Sequence, residues 1–164
     1  MSGSEPHHDG STRELRDLMR QVAFSVSVVT VAGHSPRAFT ATSFTSVEID
    51  PPLISVCVSQ DGSAWPTLRD ASHIAVNVLS EDQEDVARLF ATPGIDRLAI
   101  HGDWRPGEQG CPLLGSVLAH LECKVAHYVE AGRHAIVLAT PTSLAWREGR
   151  PLMRHGGTYT ALAY

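Results

Sequence analysis

A hydroxyl-rich stretch, TATSFTSV at residues 40–47, is the first part of this sequence whose residues are suited to chemistry. Five of its eight residues carry hydroxyl groups, and it lies between the apolar run VSVVTV at 26–31 and the pair Pro51-Pro52. Hydroxyl and amide groups at a bend between strands can bind a phosphate or the polar edge of a ring without a cluster of basic residues. In the alternative interpretation, serine and threonine only cap and interrupt strands, and the spacing alone favours this alternative.

A second polar segment, SQDGS at 59–63, follows an apolar run and precedes a predicted short helix. The N-terminus of a helix favours an anion, so Ser63 is a candidate phosphate contact. The nine histidines suggest a metal site, and His120, His127 and His134 are seven residues apart. Two residues seven apart on one strand point to opposite faces of the sheet. The pattern therefore favours separate histidines, and we expect no metal.

The elements that position these residues belong to a chain of 164 residues, which is long enough for one domain with a sizeable core. We expect residues 1–10 to form a disordered tail and residues 11–164 to form the domain. The formal net charge of −5 argues against a protein that binds nucleic acid or a membrane surface.

The three cysteines, Cys57, Cys111 and Cys123, are scattered and show neither a disulfide framework nor zinc spacing. The sequence also shows no signal-peptide pattern and no apolar run of membrane-spanning length. These features predict a cytoplasmic protein.

Hydrophobic periodicity predicts many strands and few helices. Ser11 to Glu14 and Ser80 to Gln83 match the capping box that opens a helix. Residues 92–115, which are rich in glycine and proline, are predicted to be a loop. The predicted helices cover 12–22, 65–70 and 81–91. The predicted strands cover 25–31, 38–42, 44–49, 53–59, 73–79, 117–131, 134–146 and 158–163. This composition predicts a mainly β fold with peripheral helices, in the form of a small antiparallel barrel.

The common nucleotide-binding, metalloprotease and hydrolase motifs are absent from the sequence. Longer segments in order resemble one family: VSVVTV, FTATSFTSVEIDPPLISVCVS, GSAWPTLRDASHIAVNVLSEDQEDVARLFA, DWRPGEQGCPLLGSVLAHLECKV, EAGRHAIVLA and PLMRHGGTY. The chain is similar to the flavin reductase-like family over about Leu15 to Tyr159. This family supplies the small reductase components of two-component flavin monooxygenases. The resemblance implies an FMN-binding split barrel and a homodimer with the flavin near the subunit interface.

The resemblance also implies the residues of the site. The TATS segment would line the edge of the isoalloxazine ring, the 57–59 strand end would present its backbone to the ring, and Ser63 would hold the phosphate. The implied flavin-binding residues are Thr40, Ala41, Thr42, Ser43, Cys57, Val58, Ser59, Ser63, Phe90 and Arg97. Phe90 and Arg97 match a region that closes over the side chain of the flavin.

The implied nicotinamide site is formed by Arg133, His134, Arg154, His155, Gly156 and Gly157. His134 would act as the catalytic positioning group, because hydride transfer between cofactors needs orientation rather than an acid/base pair. Arg133 stands where the family usually has an aspartate, which reverses the charge beside this site.

The implied function is an NAD(P)H:flavin oxidoreductase. It would reduce FMN or FAD with NADH or NADPH and supply the reduced flavin to a partner monooxygenase. One alternative is a flavin-binding accessory protein that lacks reductase activity because of Arg133. Another is an oxidase of the pyridoxamine-phosphate type, which needs a strongly basic phosphate pocket, and the sequence shows no such cluster.

Overall fold

The computed structural model describes residues 8–164 and contains four helices and twelve strands. The helices are α1 (His8–Met19), α2 (Trp65–Leu68), α3 (Glu84–Ala91) and α4 (Arg97–His101). The first six strands are β1 (Phe24–Ser25), β2 (Ser27–Val31), β3 (Arg37–Ala41), β4 (Thr45–Glu48), β5 (Leu53–Ser59) and β6 (His73–Val78). The other six are β7 (Trp104–Pro106), β8 (Pro112–Leu114), β9 (Ala119–Ala131), β10 (His134–Trp146), β11 (Leu152–His155) and β12 (Thr158–Ala161).

Seven strands form the main sheet in the order β3-β2-β6-β9-β10-β5-β4, and every neighbouring pair is antiparallel. A three-stranded sheet, β1-β11-β12, and the hairpin β7-β8 complete the β structure. Strands β3 and β4 are the two edges of the main sheet and do not pair with each other, so the barrel is left open between them. The predicted mainly β, antiparallel fold is confirmed.

Two apolar clusters cover the two faces of the central strands. All five residues of β2 are buried, because Val29 and Val31 face the first cluster while Val28 faces the second. The first cluster lies inside the curved main sheet and contains Val56, Ile74 and Val137, among others. Helices α3 and α4 cover the second cluster. The central strands of the main sheet therefore have a packed apolar layer on each face.

The N-terminal helix differs from its prediction. It begins at His8, before the predicted capping box at Ser11, and it overlaps the last three positions of the predicted tail. Residues 1–7 of that tail lie outside the described residues. The apolar side chains of α1, Leu15, Leu18 and Met19, remain exposed, because no other described element packs over this face of the helix. None of the four described helices has the length and apolarity that a membrane span requires.

The prediction of a loop over 92–115 is wrong. This segment contains α4, which begins after Asp96, whose side chain accepts a hydrogen bond from the Ala99 amide, and ends at Gly102 with a left-handed φ of 71°. It also contains the hairpin β7-β8. Strand β11 was not predicted, and it pairs with β12. These elements are short, so their periodicity is too weak to detect in the sequence.

The predicted capping box at α3 forms only in part. The Gln83 side chain accepts a hydrogen bond from the Ser80 amide at 3.0 Å, as the motif requires. The Ser80 hydroxyl instead donates to the carboxylate of Asp82, which lowers the pKa of that carboxyl group. Helix α3 begins at Glu84 rather than at the predicted residue 81, and Phe90 packs into the second apolar cluster.

Candidate functional site

An open cavity of about 430 Å³, here called the main cavity, lies where the end of β3, the following bend and the end of β5 meet. Helix α3 and the start of α4 form its outer wall. The lining contains all ten residues implied for flavin binding, together with His134. The remaining lining residues are Phe39, Gly62, Ala64 and Ala91.

Two hydroxyls of the bend are used to hold the fold together. Thr40 donates to the backbone carbonyl of Ala87 at 2.7 Å and fastens β3 to α3. The Ser43 hydroxyl oxygen accepts a hydrogen bond from the Cys57 amide at 2.9 Å and fastens the bend to β5. The Thr42 hydroxyl lines the cavity and makes no hydrogen bond within residues 11–164, so it is available to a ligand. The structural interpretation therefore describes Thr40 and Ser43, and ligand binding by the stretch stays a prediction.

The turn after β5 forms one end of the main cavity. The Ser59 hydroxyl accepts from the Asp61 amide at 3.3 Å, and the Gly62 amide donates to the Ser59 carbonyl at 3.1 Å. A Cβ atom on Gly62 would lie 3.2 Å from the Ser59 carbonyl oxygen, which shows how tightly the turn is packed. Ser63 is exposed at the cavity wall and has no hydrogen-bonding partner among the described residues. Helix α2 ends at Leu68 rather than at the predicted residue 70.

Arg97 supplies a positive charge to the lining of the main cavity, and together with Ser63 it also lines a small adjacent space. Its guanidinium donates to the carbonyl of Thr92 at 2.7 Å and to the carbonyl of Ala38 at 2.8 Å. Burial, and secondarily the neighbouring Arg37, lowers the pKa of Arg97, but an arginine remains charged at neutral pH. A guanidinium has five N–H donors, so donors remain for an anion beside Ser63.

The apolar part of the cavity wall belongs to the core. Phe90 is 0% exposed and its ring packs edge-to-face on His101 with 5.4 Å between the ring centroids. Val58 is 3% exposed, whereas Cys57 is only half-buried. Phe90 and Val58 therefore form a buried apolar wall of the main cavity.

His134 lies at the rim of the main cavity, opposite Ser59 in the β5–β10 ladder. The preceding turn contains Gly132, whose φ of 61° is readily adopted by glycine. Arg133 does not line the main cavity and forms an ion pair with Asp61 at 2.6 Å, with both side chains largely exposed. Its positive charge is thereby balanced by a residue 72 positions earlier in the chain.

The C-terminal part of the predicted nicotinamide site lines a different cavity. Arg154, His155, Gly156 and Gly157 line a neighbouring space of about 350 Å³ that shares Thr42 with the main cavity but does not include His134. Two further cations, Arg16 and Arg20, reach this space from the end of α1. Neither arginine was predicted as a site residue, although a spacing of four places both on one face of the predicted helix 12–22. We call this space the arginine cavity.

The main cavity combines an apolar wall, free hydroxyls and a cation at one end. It suits a ligand with a flat apolar body, a polar edge and an anionic group. Among the described residues, no three His, Cys, Asp or Glu side chains come together as a metal ion would require. The site therefore has the means to bind and orient a ligand.

Comparison with known proteins identifies what this arrangement resembles. The family model described as flavin reductase like domain matches residues 19–163, which is most of the chain. A Streptomyces globisporus protein named NADH-dependent FAD reductase is 38% identical over 156 residues, which are 92% of this chain and 85% of that protein. A Rhizobium meliloti (strain 1021) protein named "Probable flavin reductase" is 44% identical over 133 residues. This chain spans only 42% of the length of the Rhizobium protein.

Solved structures show the same fold. The Streptomyces globisporus C-1027 NADH:FAD oxidoreductase SgcE6, in complex with NAD and FAD fragments, superimposes with a TM-score of 0.89 at 34% sequence identity. The match covers 98% of each chain. BorF, described as the flavin reductase component of a bacterial two-component tryptophan halogenase, has a TM-score of 0.84 at 36% identity and covers 92% of this chain.

Proposed function

The chain belongs to the flavin reductase like domain family, and from that membership we propose that it is an NADH-dependent flavin reductase. It would reduce FMN or FAD and deliver the reduced flavin to a partner monooxygenase. The observation that carries the proposal is the main cavity, which brings together all ten residues implied for flavin binding and His134. Relatives of similar length that are named for NADH-dependent FAD reduction support it.

The residues present fit a flavin. Ser63 and Arg97 would hold the phosphate, since both line the main cavity and a small adjacent space and both have unused donors. Thr42 would contact the polar edge of the ring. The buried wall of Val58 and Phe90 would support its apolar end. When bound, the flavin supplies the redox chemistry by accepting a hydride from the dihydronicotinamide.

His134 would orient the hydride donor at the rim of the main cavity. Its exposed ring is beside Ser59, so it can contact a second ligand placed over the first. Hydride transfer needs the two rings at near-attack distance, about 3–3.5 Å, rather than a proton donor. His134 is therefore a positioning residue for one substrate.

The ion pair of Arg133 with Asp61 weakens the alternative of an inactive accessory protein. That alternative depended on an unbalanced positive charge where the family usually has an aspartate. The pair carries no net charge, and Arg133 does not line the main cavity. We expect NADH to be used, with less than a tenfold preference over NADPH.

We further propose a homodimer in the cytoplasm. Large apolar side chains are exposed on three separate elements: Leu15 on α1, Ile49 after β4, and Trp146 at the end of β10 with 78% of its surface exposed. Exposed apolar surface of this kind commonly marks an interface. The three free cysteines suit a reducing compartment. Sedimentation at micromolar concentration tests the assembly, and a monomer with flavin bound would exclude the dimer.

The partner monooxygenase is proposed from the relatives. A relative from Acinetobacter baylyi is named as the reductase component of a flavin-dependent trigonelline monooxygenase, and BorF is named as the flavin reductase component of a tryptophan halogenase. Ser63 and His134 are exposed on the main cavity of this chain, so a bound flavin could leave through the same opening. Reduced flavin would then pass to the partner by diffusion.

A single assay tests the proposed function. The purified protein is mixed with FMN or FAD and with NADH or NADPH, and the loss of absorbance at the nicotinamide band is followed. We expect turnover that depends on flavin and on enzyme concentration. Flavin binding without any nicotinamide oxidation would replace the proposal with the accessory-protein function.

A further inference from the structure

The arginine cavity carries more positive charge than any function proposed so far requires. Arg16 lies on α1 and Arg20 directly follows it, whereas Arg154 and His155 lie on β11. None of the three arginines forms an ion pair with a carboxylate of residues 11–164. Three guanidinium groups around one space repel one another, and a bound anion would relieve that repulsion. The chain as a whole has a formal net charge of −5, so this local excess runs against its overall charge.

Two contacts hold the arginine cavity in shape. The Gly156 amide donates to the Arg20 carbonyl at 3.0 Å and ties the end of α1 to the β11–β12 turn. The Arg154 guanidinium lies 4.8 Å from the centroid of the Tyr159 ring, which restrains its position. The charged groups of two distant segments are thus brought together by the fold, and Arg154 is positioned before any ligand arrives.

The position of the arginine cavity relative to the main cavity indicates which ligand it serves. The two spaces share Thr42, so one ligand can extend from the first into the second. The arginine cavity includes neither Ser63 nor Arg97, the residues suited to the flavin phosphate. An anion in the arginine cavity therefore belongs to the other substrate more readily than to the flavin.

We propose that the arginine cavity binds the diphosphate of the dinucleotide hydride donor, with Arg16 and Arg20 as its principal specificity-determining residues. The inference rests on the proposed function for the identity of the donor. A guanidinium can grip phosphate oxygens with two parallel hydrogen bonds, and several guanidinium groups suit a ligand with two adjacent phosphates. The diphosphate is common to NADH and NADPH, which agrees with a weak preference between them.

Binding of adenosine diphosphate tests the site without any turnover. ADP affinity is measured by isothermal titration calorimetry for the wild type, for the double variant Arg16→Gln/Arg20→Gln and for Arg13→Gln. Arg13 is an exposed arginine on the same helix that does not line the cavity, so it controls for the general loss of charge. We expect the double variant to weaken ADP binding about tenfold and Arg13→Gln to leave it unchanged. Equal ADP affinity in wild type and double variant would overturn the proposal.

Steady-state kinetics identify the substrate that uses the site. The kcat/KM for NADH is divided by the kcat/KM for 1-benzyl-1,4-dihydronicotinamide, a hydride donor without phosphates. We expect this ratio to fall about tenfold in the double variant, while a ratio that does not change would count against the proposal. Weaker FAD binding with an unchanged ratio would assign the cavity to the adenylate of FAD and also overturn it. If the wild type oxidises no NADH but its ADP binding still depends on Arg16 and Arg20, the anion site stands and the proposed reductase function fails.

Discussion

Ser43 and Ser63 line the same cavity, yet the structure gives their hydroxyls different tasks. Strand β4 pairs with β5 only as far as Thr45, which lies opposite Ser55. The Cys57 amide, two residues further along β5, finds its partner in the Ser43 hydroxyl at 2.9 Å. Ser63 is exposed and has no hydrogen-bonding partner among the described residues. Alanine should therefore reduce stability at one site and ligand affinity at the other.

The size of each effect depends on which hydrogen-bonding groups the substitution leaves without a partner. Ser43→Ala removes the acceptor of a partly buried amide, which costs about 1.5 kcal/mol of unfolding free energy. In a protein of this size that lowers Tm by about 3–6 °C. Ser63→Ala leaves no protein group unpaired, so Tm without ligand should not change. It removes one donor to the flavin phosphate, and we expect FMN affinity to fall about tenfold, equivalent to about 1.4 kcal/mol.

Thermal unfolding and fluorescence titration with FMN distinguish the two roles. Protein concentration is kept constant, because Tm of an oligomer depends on it. Ser43→Thr retains the hydroxyl and serves as the matched control, with a Tm close to that of the wild type. The reasoning would be refuted if both alanine variants changed Tm equally, or if Ser63→Ala bound FMN as tightly as the wild type.

Three further predictions concern single residues. His134→Ala should raise KM for NADH and lower kcat/KM while FMN affinity stays near the wild-type value; wild-type kcat/KM with both nicotinamides would make His134 a bystander. Arg97→Gln should lower the unfolding free energy by about 2 kcal/mol, since its donors to two backbone carbonyls are lost, and should weaken FMN binding; denaturant titration that shows no destabilisation would contradict this. Burial raises the pKa of the Cys123 thiol to about 12 from its ordinary 9.0. The unfolded chain therefore loses this proton first, so stability should fall as pH rises above about 9, and Cys123→Ala should flatten that fall; an identical pH dependence in both proteins would refute it.

Local sequence patterns were sufficient for the long elements. The near-continuous apolar run LISVCVS predicted β5 with its observed bounds, 53–59, and the predicted strands 117–131 and 134–146 left the observed turn between β9 and β10. These predictions succeeded because a strand of this length repeats its pattern several times. The resemblance to a family also identified the residues that line the main cavity. Whether each of them contacts a ligand stays a prediction.

Short elements could not be predicted in the same way. Helix α4 and the hairpin β7-β8 have five or fewer residues per element and were assigned to a loop. Their caps were present in the sequence as Asp96 and Gly102, but such residues are equally common in turns. Burial of Leu98 and Leu114 in the second apolar cluster stabilises these elements, and that packing depends on segments distant in the chain.

The tertiary structure alone decided which polar groups of the site are available to a ligand. The TATSFTSV sequence establishes five hydroxyls at a bend, but only the fold brings Ala87 to Thr40 and Cys57 to Ser43. Which group a hydrogen-bonding side chain pairs with depends on which distant segment the fold brings next to it. A local sequence pattern does not contain that information. For the same reason the sequence showed Arg133 as an unbalanced charge, and it took the folded chain to place Asp61 2.6 Å from its guanidinium.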